Sequence, residues 1–200
     1  MIEEEEEEIN LEDDGEIKDA SLAVMRCQPL HFGHIRLIDE AMKDRPVVLV
    51  LGSTQEHGTS RNPLTYSERK RMVKTYYNNL GLWNRMFVMG MPDTFSLDWA
   101  DRVFEKIARV APQYRITHVY GGTDYDLSWF EGYERVRRDR HGIGRNDPDY
   151  PYASGSIVRD MLMYKDARWM DHVPVCNWRR LARKFNRLDM LPDGVGGNAS

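Results

Sequence analysis

The 200 residues predict an α/β fold built on a central parallel sheet. Three observations lead there. Short apolar runs of strand length stand at 22–25, 46–51, 85–89 and 116–120; the stretches between them carry apolar residues at helical spacing; and polar, turn-forming segments follow the strands. Strands alternating with helices imply parallel pairing through right-handed crossovers, and such sheets bind ligands beyond the carboxyl ends of their strands.

Taken in order, 22–25 reads as a buried strand and 35–42 as the helix that follows it. The second strand, 46–51, is a continuous run of valine and leucine, the pattern of a strand buried on both faces. It ends in a polar loop over 52–63, longer than most strand-to-helix links, and loops that long in compact domains are usually functional. Thr65 or Ser67 is placed to cap the next helix, in which Met72, Val73, Tyr76 and Tyr77 point inward. After the third strand and a loop with Pro92, a helix over 97–110 is expected to bury Leu97, Val103, Phe104, Ile107 and Ala108 and to end before Pro112. The fourth strand closes on Gly121, Gly122, Thr123 and Asp124. From 133 to 152 the composition turns to Arg, Asp, Gly and Pro, which predicts a short strand at 135–140 and then a mobile loop. Ser154 caps a helix with Arg159 one turn in, and a last helix is expected over 177–188.

The domain plan is therefore a disordered acidic tail over 1–20, one domain over 21–190 and a flexible tail over 191–200. Eleven of the 32 acidic residues but one of the 28 basic ones lie in the first 20 positions, leaving 27 basic against 21 acidic residues, a net +6, on the rest. A mildly basic body suits a protein that handles polyphosphates. The run Glu3 to Glu8 has no apolar period and reads as a solubilising tail. No apolar run reaches membrane-spanning length, and an acidic start is not a secretory signal. Two cysteines, Cys27 and Cys176, are too few for a disulfide framework and lack metal-ligand spacing, which points to a reducing cytoplasm and to no metal held by protein side chains.

The chemistry concentrates in Arg26-Cys-Gln28-Pro-Leu-His31-Phe-Gly33-His34, set at a strand-to-helix turn. A helix N-terminus offers unpaired N–H groups and the positive end of the helix dipole, and Gly33 leaves room for a phosphate against the backbone. His31 and His34, three apart, lie on one side of the first turn and can serve the same oxygen atoms. The serine-capped helix at Ser154, Gly155 and Ser156, with Arg159, reads as a second anion-binding helix end. His57, His118, His141 and His172 have no partners in sequence and read as structural or surface residues. The arginines of 133–152 read as a solvated face, so no nucleic-acid partner is expected.

These motifs agree with one another in order and spacing. His-x-Gly-His followed by Ser-x-Ser-x-x-Arg resembles the nucleotidyltransferase superfamily of Rossmann-like, three-layer folds. More narrowly, the Arg26 to His34 signature, Gly52-Ser53-x-Gln55, Asn62-Pro63-x-Thr65-x-x-Glu68-Arg69 and Tyr152-x-Ser154-Gly155-Ser156-x-x-Arg159 resemble the archaeal-type nicotinamide mononucleotide (NMN) adenylyltransferases. The resemblance implies transfer of AMP from ATP to NMN, giving NAD and pyrophosphate, with Mg²⁺ arriving on ATP. It implies catalytic roles for His31, His34, Arg26 and Arg159, and ATP phosphate contacts from Gln28, Gly33, Arg61, Ser154, Gly155 and Ser156. Trp99 matches an aromatic that stacks on the nicotinamide ring, with Gly121, Gly122 and Thr123 beside the acceptor; here Gly121 to Asp124 replaces the Ser-Gly-Asn-Pro turn usual in archaeal enzymes. A homo-oligomer in the cytoplasm is implied too. Two alternatives stay open at this point: the same transfer to nicotinate mononucleotide, FMN or phosphopantetheine, and a regulator that binds NAD or ATP without turnover.

Overall fold

A computed structural model describes residues 16–94, 96–133, 136–140 and 154–192. The glutamate run, the loop expected beyond 140 and the end of the C-terminal tail lie outside the described residues. The helices are α1 (Phe32–Met42), α2 (Tyr66–Asn79), α3 (Trp99–Val110), α4 (Asp124–Ser128), α5 (Gly155–Met163) and α6 (Val175–Lys184). The chain divides into two compact units, one of Met1–Met25, Leu37–Ser53 and Arg85–Gly142, the other of Arg26–Arg36, Thr54–Asn84 and Ile143–Ser200.

The first unit holds a five-stranded sheet of β1 (Lys18–Met25), β2 (Val47–Leu51), β3 (Met86–Gly90), β4 (Tyr114–Gly121) and β5 (Arg137–Arg140). Its order is β3-β2-β1-β4-β5, and every pair is parallel, with Val50 opposite Val24 on one side and Met89 on the other. β1 begins at Lys18, so the last three residues assigned to the tail belong to the sheet. All five residues of β2 are buried, as a strand covered on both faces requires. One face packs Leu22, Val48, Val50, Met89 and Val119 against Trp99, Val103 and Ile107 of α3 and Leu127 of α4. The strand order reverses direction at β1 and β4, whose carboxyl ends are Met25 and Gly121.

Helix α3 starts two residues later than the periodicity predicts. Leu97 is 98% exposed and Ala108 is exposed, whereas Trp99, Ala100, Val103 and Ile107 form the buried stripe and Phe104 packs at its margin. The cause is local: Ser96 Oγ donates to Asp98, Asp98 Oδ2 accepts from Arg102 Nε at 2.8 Å, and the resulting turn leaves Leu97 outside the first helical residue.

In the second unit the question of Thr65 or Ser67 is settled by a complete capping box. Thr65 Oγ1 accepts from Glu68 N at 3.2 Å and Glu68 Oε2 from Thr65 N at 2.8 Å. Met72, Val73 and Tyr77 are buried, and Tyr76 is half-buried. α2 ends on Gly81 at φ 70°, with Leu82 N donating to Tyr77 O at 2.9 Å. α6 stops at Lys184, four residues before the expected end, because Asn186 takes φ 55°. Arg187 N then donates to Ala182 O at 2.6 Å and Asn186 N to Arg183 O at 3.2 Å, which closes the helix with the two reversed bonds of a left-handed cap.

Candidate active site

The second unit holds every residue expected to serve the phosphates: Arg26, Gln28, His31, Gly33, His34, Arg61, Ser154, Gly155, Ser156 and Arg159. His31 starts α1, its carbonyl accepting from His34 N at 2.9 Å and Ile35 N at 3.2 Å. One turn of helix brings the two imidazoles face to face, with centroids 3.7 Å apart and planes 30° from parallel. Nδ1 of each ring is buried without a hydrogen-bond partner among the described residues. Such orphaned atoms cost stability, and they recur where a ligand completes the pairing.

The loop leading into these rings is held by its own Gln28 side chain and by Arg159 of α5. The Gln28 amide pairs twice with Leu64, donating from Nε2 to Leu64 O at 2.8 Å and accepting from Leu64 N at 2.9 Å. Arg159, one turn into α5, donates from Nη1 to Gln28 O at 2.6 Å. Gly155 makes that approach possible, since a Cβ there would lie 2.9 Å from Gln28 O and 3.1 Å from Arg159 Nη1. Ser154 caps α5 by accepting from Ile157 N at 3.2 Å, and its Oγ lies 2.9 Å from Ser156 Oγ. The 52–63 loop is closed on itself around Glu56, which accepts from Asn62 Nδ2 at 2.8 Å and from Thr59 Oγ1 at 3.0 Å, leaving the adjacent Arg61 exposed.

Charge is concentrated here. Burial, then Arg26 and Arg61, depress the Arg159 guanidinium below its ordinary value, with Asp160 opposing. None of these three arginines makes an ion pair with a carboxylate among the described residues. Burial, then His34, His172 and Arg159, hold His31 well below the usual histidine range, and burial with Arg26 pushes His34 down to about 4. Both rings are therefore neutral at pH 7 in the ligand-free protein, each with one N–H to donate. An anion entering this field restores their affinity for protons.

Two residues escaped the sequence reading. Arg69 is fully buried and holds the Arg26 carbonyl; its signal was the Glu68-Arg69 pair inside the quoted motif. His172 is 7% exposed in the 3-10 turn Ala167–His172, its Nδ1 without a partner among the described residues, and it adds to what depresses His31. Nothing in its sequence surroundings pointed to that place.

The first unit holds the residues assigned to the acceptor. Trp99 is 8% exposed, its Nε1 donating to Pro92 O at 3.2 Å, with edge contacts to Trp129 and Phe130. It is a core residue first. Gly121 closes β4 where a Cβ would meet Leu127 at 2.9 Å, and Thr123 caps α4 in a box with Asp126. Ser53, at φ 54°, donates its N–H to Asp93 Oδ1 at 2.8 Å and its hydroxyl to Asp93 Oδ2. Among the described residues no group of three or more His, Cys, Asp or Glu could hold a metal ion, and no helix is long and apolar enough to cross a membrane.

A parallel sheet of this order, together with stacked histidines and convergent arginines, defines a Rossmann-like nucleotidyltransferase. The chain belongs to the cytidylyltransferase-like family, whose profile matches residues 26–161, and its relatives place it beside the archaeal nicotinamide-nucleotide adenylyltransferases. The protein of that name from Thermococcus sibiricus is 33% identical over 182 residues, covering 88% of this chain and 91% of the relative. That of Pyrobaculum neutrophilum is 30% identical over 154 residues, 74% of this chain and 79% of the relative. Among solved structures, a bifunctional NMN adenylyltransferase/ADP ribose pyrophosphatase from Francisella tularensis, complexed with AMP and a Mn ion, shares the fold at 18% identity and a TM-score of 0.66. The match covers 86% of this chain and about half, 51%, of that one. A nicotinic acid mononucleotide adenylyltransferase from Plasmodium falciparum shares it at 14% identity and a TM-score of 0.59, over 87% and 98% of the two chains.

Proposed function

We propose that this enzyme transfers the adenylyl group of ATP to NMN, forming NAD and releasing pyrophosphate. One observation carries the reading: two stacked, neutral imidazoles with unspent hydrogen-bonding atoms stand among three arginines that lack carboxylate partners among the described residues. That arrangement is short of negative charge and of acceptors, and a triphosphate supplies both. The names of the archaeal relatives support NMN as the acceptor.

In the reaction an oxygen of the NMN phosphate attacks the α-phosphorus of ATP in line. The bond from that phosphorus to the α–β bridging oxygen breaks, and its electron pair leaves with pyrophosphate. No covalent enzyme intermediate is needed, so the protein's task is positioning and electrostatic stabilisation. His31 and His34 donate to phosphate oxygens as charge builds on them, while Arg26, Arg61 and Arg159 hold the triphosphate, the planar guanidinium suiting bidentate contact. Ser154 and Ser156 add hydroxyl donors, and Gln28, Gly33 and Gly155 keep the backbone close. Mg²⁺ bound to ATP oxygens neutralises part of their charge.

For the acceptor we assign Trp99, Gly121, Gly122 and Thr123. Held by Pro92 and two aromatic neighbours, the Trp99 indole offers a pyridinium ring a rigid wall. As the sequence resemblance implies, we propose a cytoplasmic homo-oligomer.

The test is pyrophosphate release from ATP and Mg²⁺ with NMN, nicotinate mononucleotide, FMN or phosphopantetheine supplied separately. NMN-dependent release with NAD as product is expected. Release with another acceptor alone moves the error to the Trp99 region. Silence with all four, from protein that still binds ATP, establishes a regulator instead.

A further inference from the structure

Arg69 is the one wholly buried arginine among the described residues and has no part in the phosphate contacts assigned above. It lies on α2, one turn in, and its donors point back at backbone carbonyls: Nη1 to Arg26 O at 2.7 Å and Nε to Thr65 O at 3.3 Å. Burying a guanidinium is costly unless its donors are met, and such a group is retained where it fixes a geometry. The geometry at issue is unusual. Cys27, next to the gripped carbonyl, has φ 51°, a left-handed conformation that a non-glycine residue seldom adopts. The Gln28 carbonyl, two residues beyond Arg26, is gripped by Arg159. Two guanidiniums thus hold the carbonyls of the residues on either side of Cys27, and the Arg26 side chain leaves from the first of those residues.

We propose that Arg69 is a positioning residue of the phosphate site, a buried guanidinium that clamps the Arg26 carbonyl and so aims the exposed Arg26 side chain at the bound triphosphate. The role needs a fork. A lysine keeps the charge but reaches one carbonyl at a time and leaves the peptide free to rotate. The clamp acts on ATP through Arg26, and the paired variants below separate that effect from a contribution to stability. The inference rests on the adenylyl-transfer reading for its kinetic readout, and ATP affinity supplies a second readout independent of turnover.

The experiment is a double-mutant cycle on the full chain with Arg69→Lys, Arg26→Ala and the two combined. ATP binding is measured by calorimetry, and NAD formation by KM for ATP, KM for NMN and kcat. Arg69→Lys is expected to weaken ATP binding by about tenfold and to lower kcat by ten- to a hundredfold, since small misplacements cost that much, with KM for NMN unchanged. In the Arg26→Ala background the same change is expected to cost less than twofold, because the group it positions is gone. Methylguanidinium at millimolar concentration should restore part of the ATP affinity to Arg69→Ala and none to Arg26→Ala, Arg69→Ala. Equal losses in both backgrounds, wild-type ATP affinity in Arg69→Lys, or failure of both Arg69 variants to fold would each overturn the proposal. If wild-type protein binds ATP but makes no NAD, the reaction reading fails while the binding cycle still decides the clamp.

Discussion

Gly155→Ala is the substitution whose outcome the geometry constrains most tightly. The added methyl would sit 2.9 Å from Gln28 O, 3.1 Å from Arg159 Nη1 and 3.5 Å from Gln28 C. The nearest of these is backbone, and it cannot retreat freely because the Gln28 side chain is tied to both polar groups of Leu64. Arg159 can swing away, but only by giving up its 2.6 Å bond to Gln28 O. Alanine at a helix position gains up to about 1 kcal/mol over glycine. Overpacking of this kind costs about 1–3 kcal/mol. The balance is a loss of about 1–2 kcal/mol, which lowers the melting temperature of a 200-residue chain by roughly 2–8 °C. Displacing Arg159 should also raise KM for ATP several-fold while leaving KM for NMN alone. Calorimetric melting and steady-state kinetics read both effects. A Gly155→Ala protein with wild-type melting temperature and ATP KM would show that α5 does not press on the His31 loop as described.

Other expectations follow from the same contacts. His34→Ala should lower turnover by a factor on the order of 10², the usual cost of one transition-state donor, in protein that still folds, because the ring's Nδ1 has no hydrogen bond to lose among the described residues. Stability should fall as pH falls: the histidines are held neutral in the fold while the unfolded chain takes up protons near 6.5, so stability is lost between pH 6.5 and about 4, by on the order of 3 kcal/mol for His34, and denaturant midpoints across that range measure it. ATP binding at pH 6.5 should take up protons as the phosphates raise both histidines, seen as a buffer-dependent calorimetric enthalpy that disappears in His31→Ala, His34→Ala protein. Trp99→Ala should destabilise by about 3–5 kcal/mol as a core deletion, whereas Trp99→Phe, which keeps an apolar ring but loses the bond to Pro92 O, should fold and raise KM for NMN selectively.

Much of this was legible in the residues because each element carries its own signal. β2 is apolar throughout and needs both faces covered, Thr65 and Glu68 form their box within one turn, and His31 and His34 are three apart, so helix geometry alone stacks them. Convergence across sequence was harder to see. Arg159 meets Gln28 over 131 positions, and only the matching of separated motifs linked them. The misses are tertiary or stereochemical. Leu97 fits the helical period but falls in a turn organised by Ser96 and Asp98. The end of α6 depends on Asn186 adopting a conformation that composition does not announce. His172 reaches the neighbourhood of His31 through the packing of the turn Ala167–His172, beside the buried Trp169 and Val173. Trp99 shows the opposite case, since its resemblance-based role and its core role fall on the same side chain.

The central claim is that the stacked histidines and the three arginines serve adenylyl transfer to NMN. Following the reaction of ATP and NMN by phosphorus NMR, with wild-type and His34→Ala proteins side by side, tests it most directly. The account predicts equal growth of NAD and pyrophosphate signals with the wild-type protein and a rate about a hundredfold lower with His34→Ala. Unchanged ATP and NMN resonances with folded, ATP-binding wild-type protein, or full activity in His34→Ala, would contradict it.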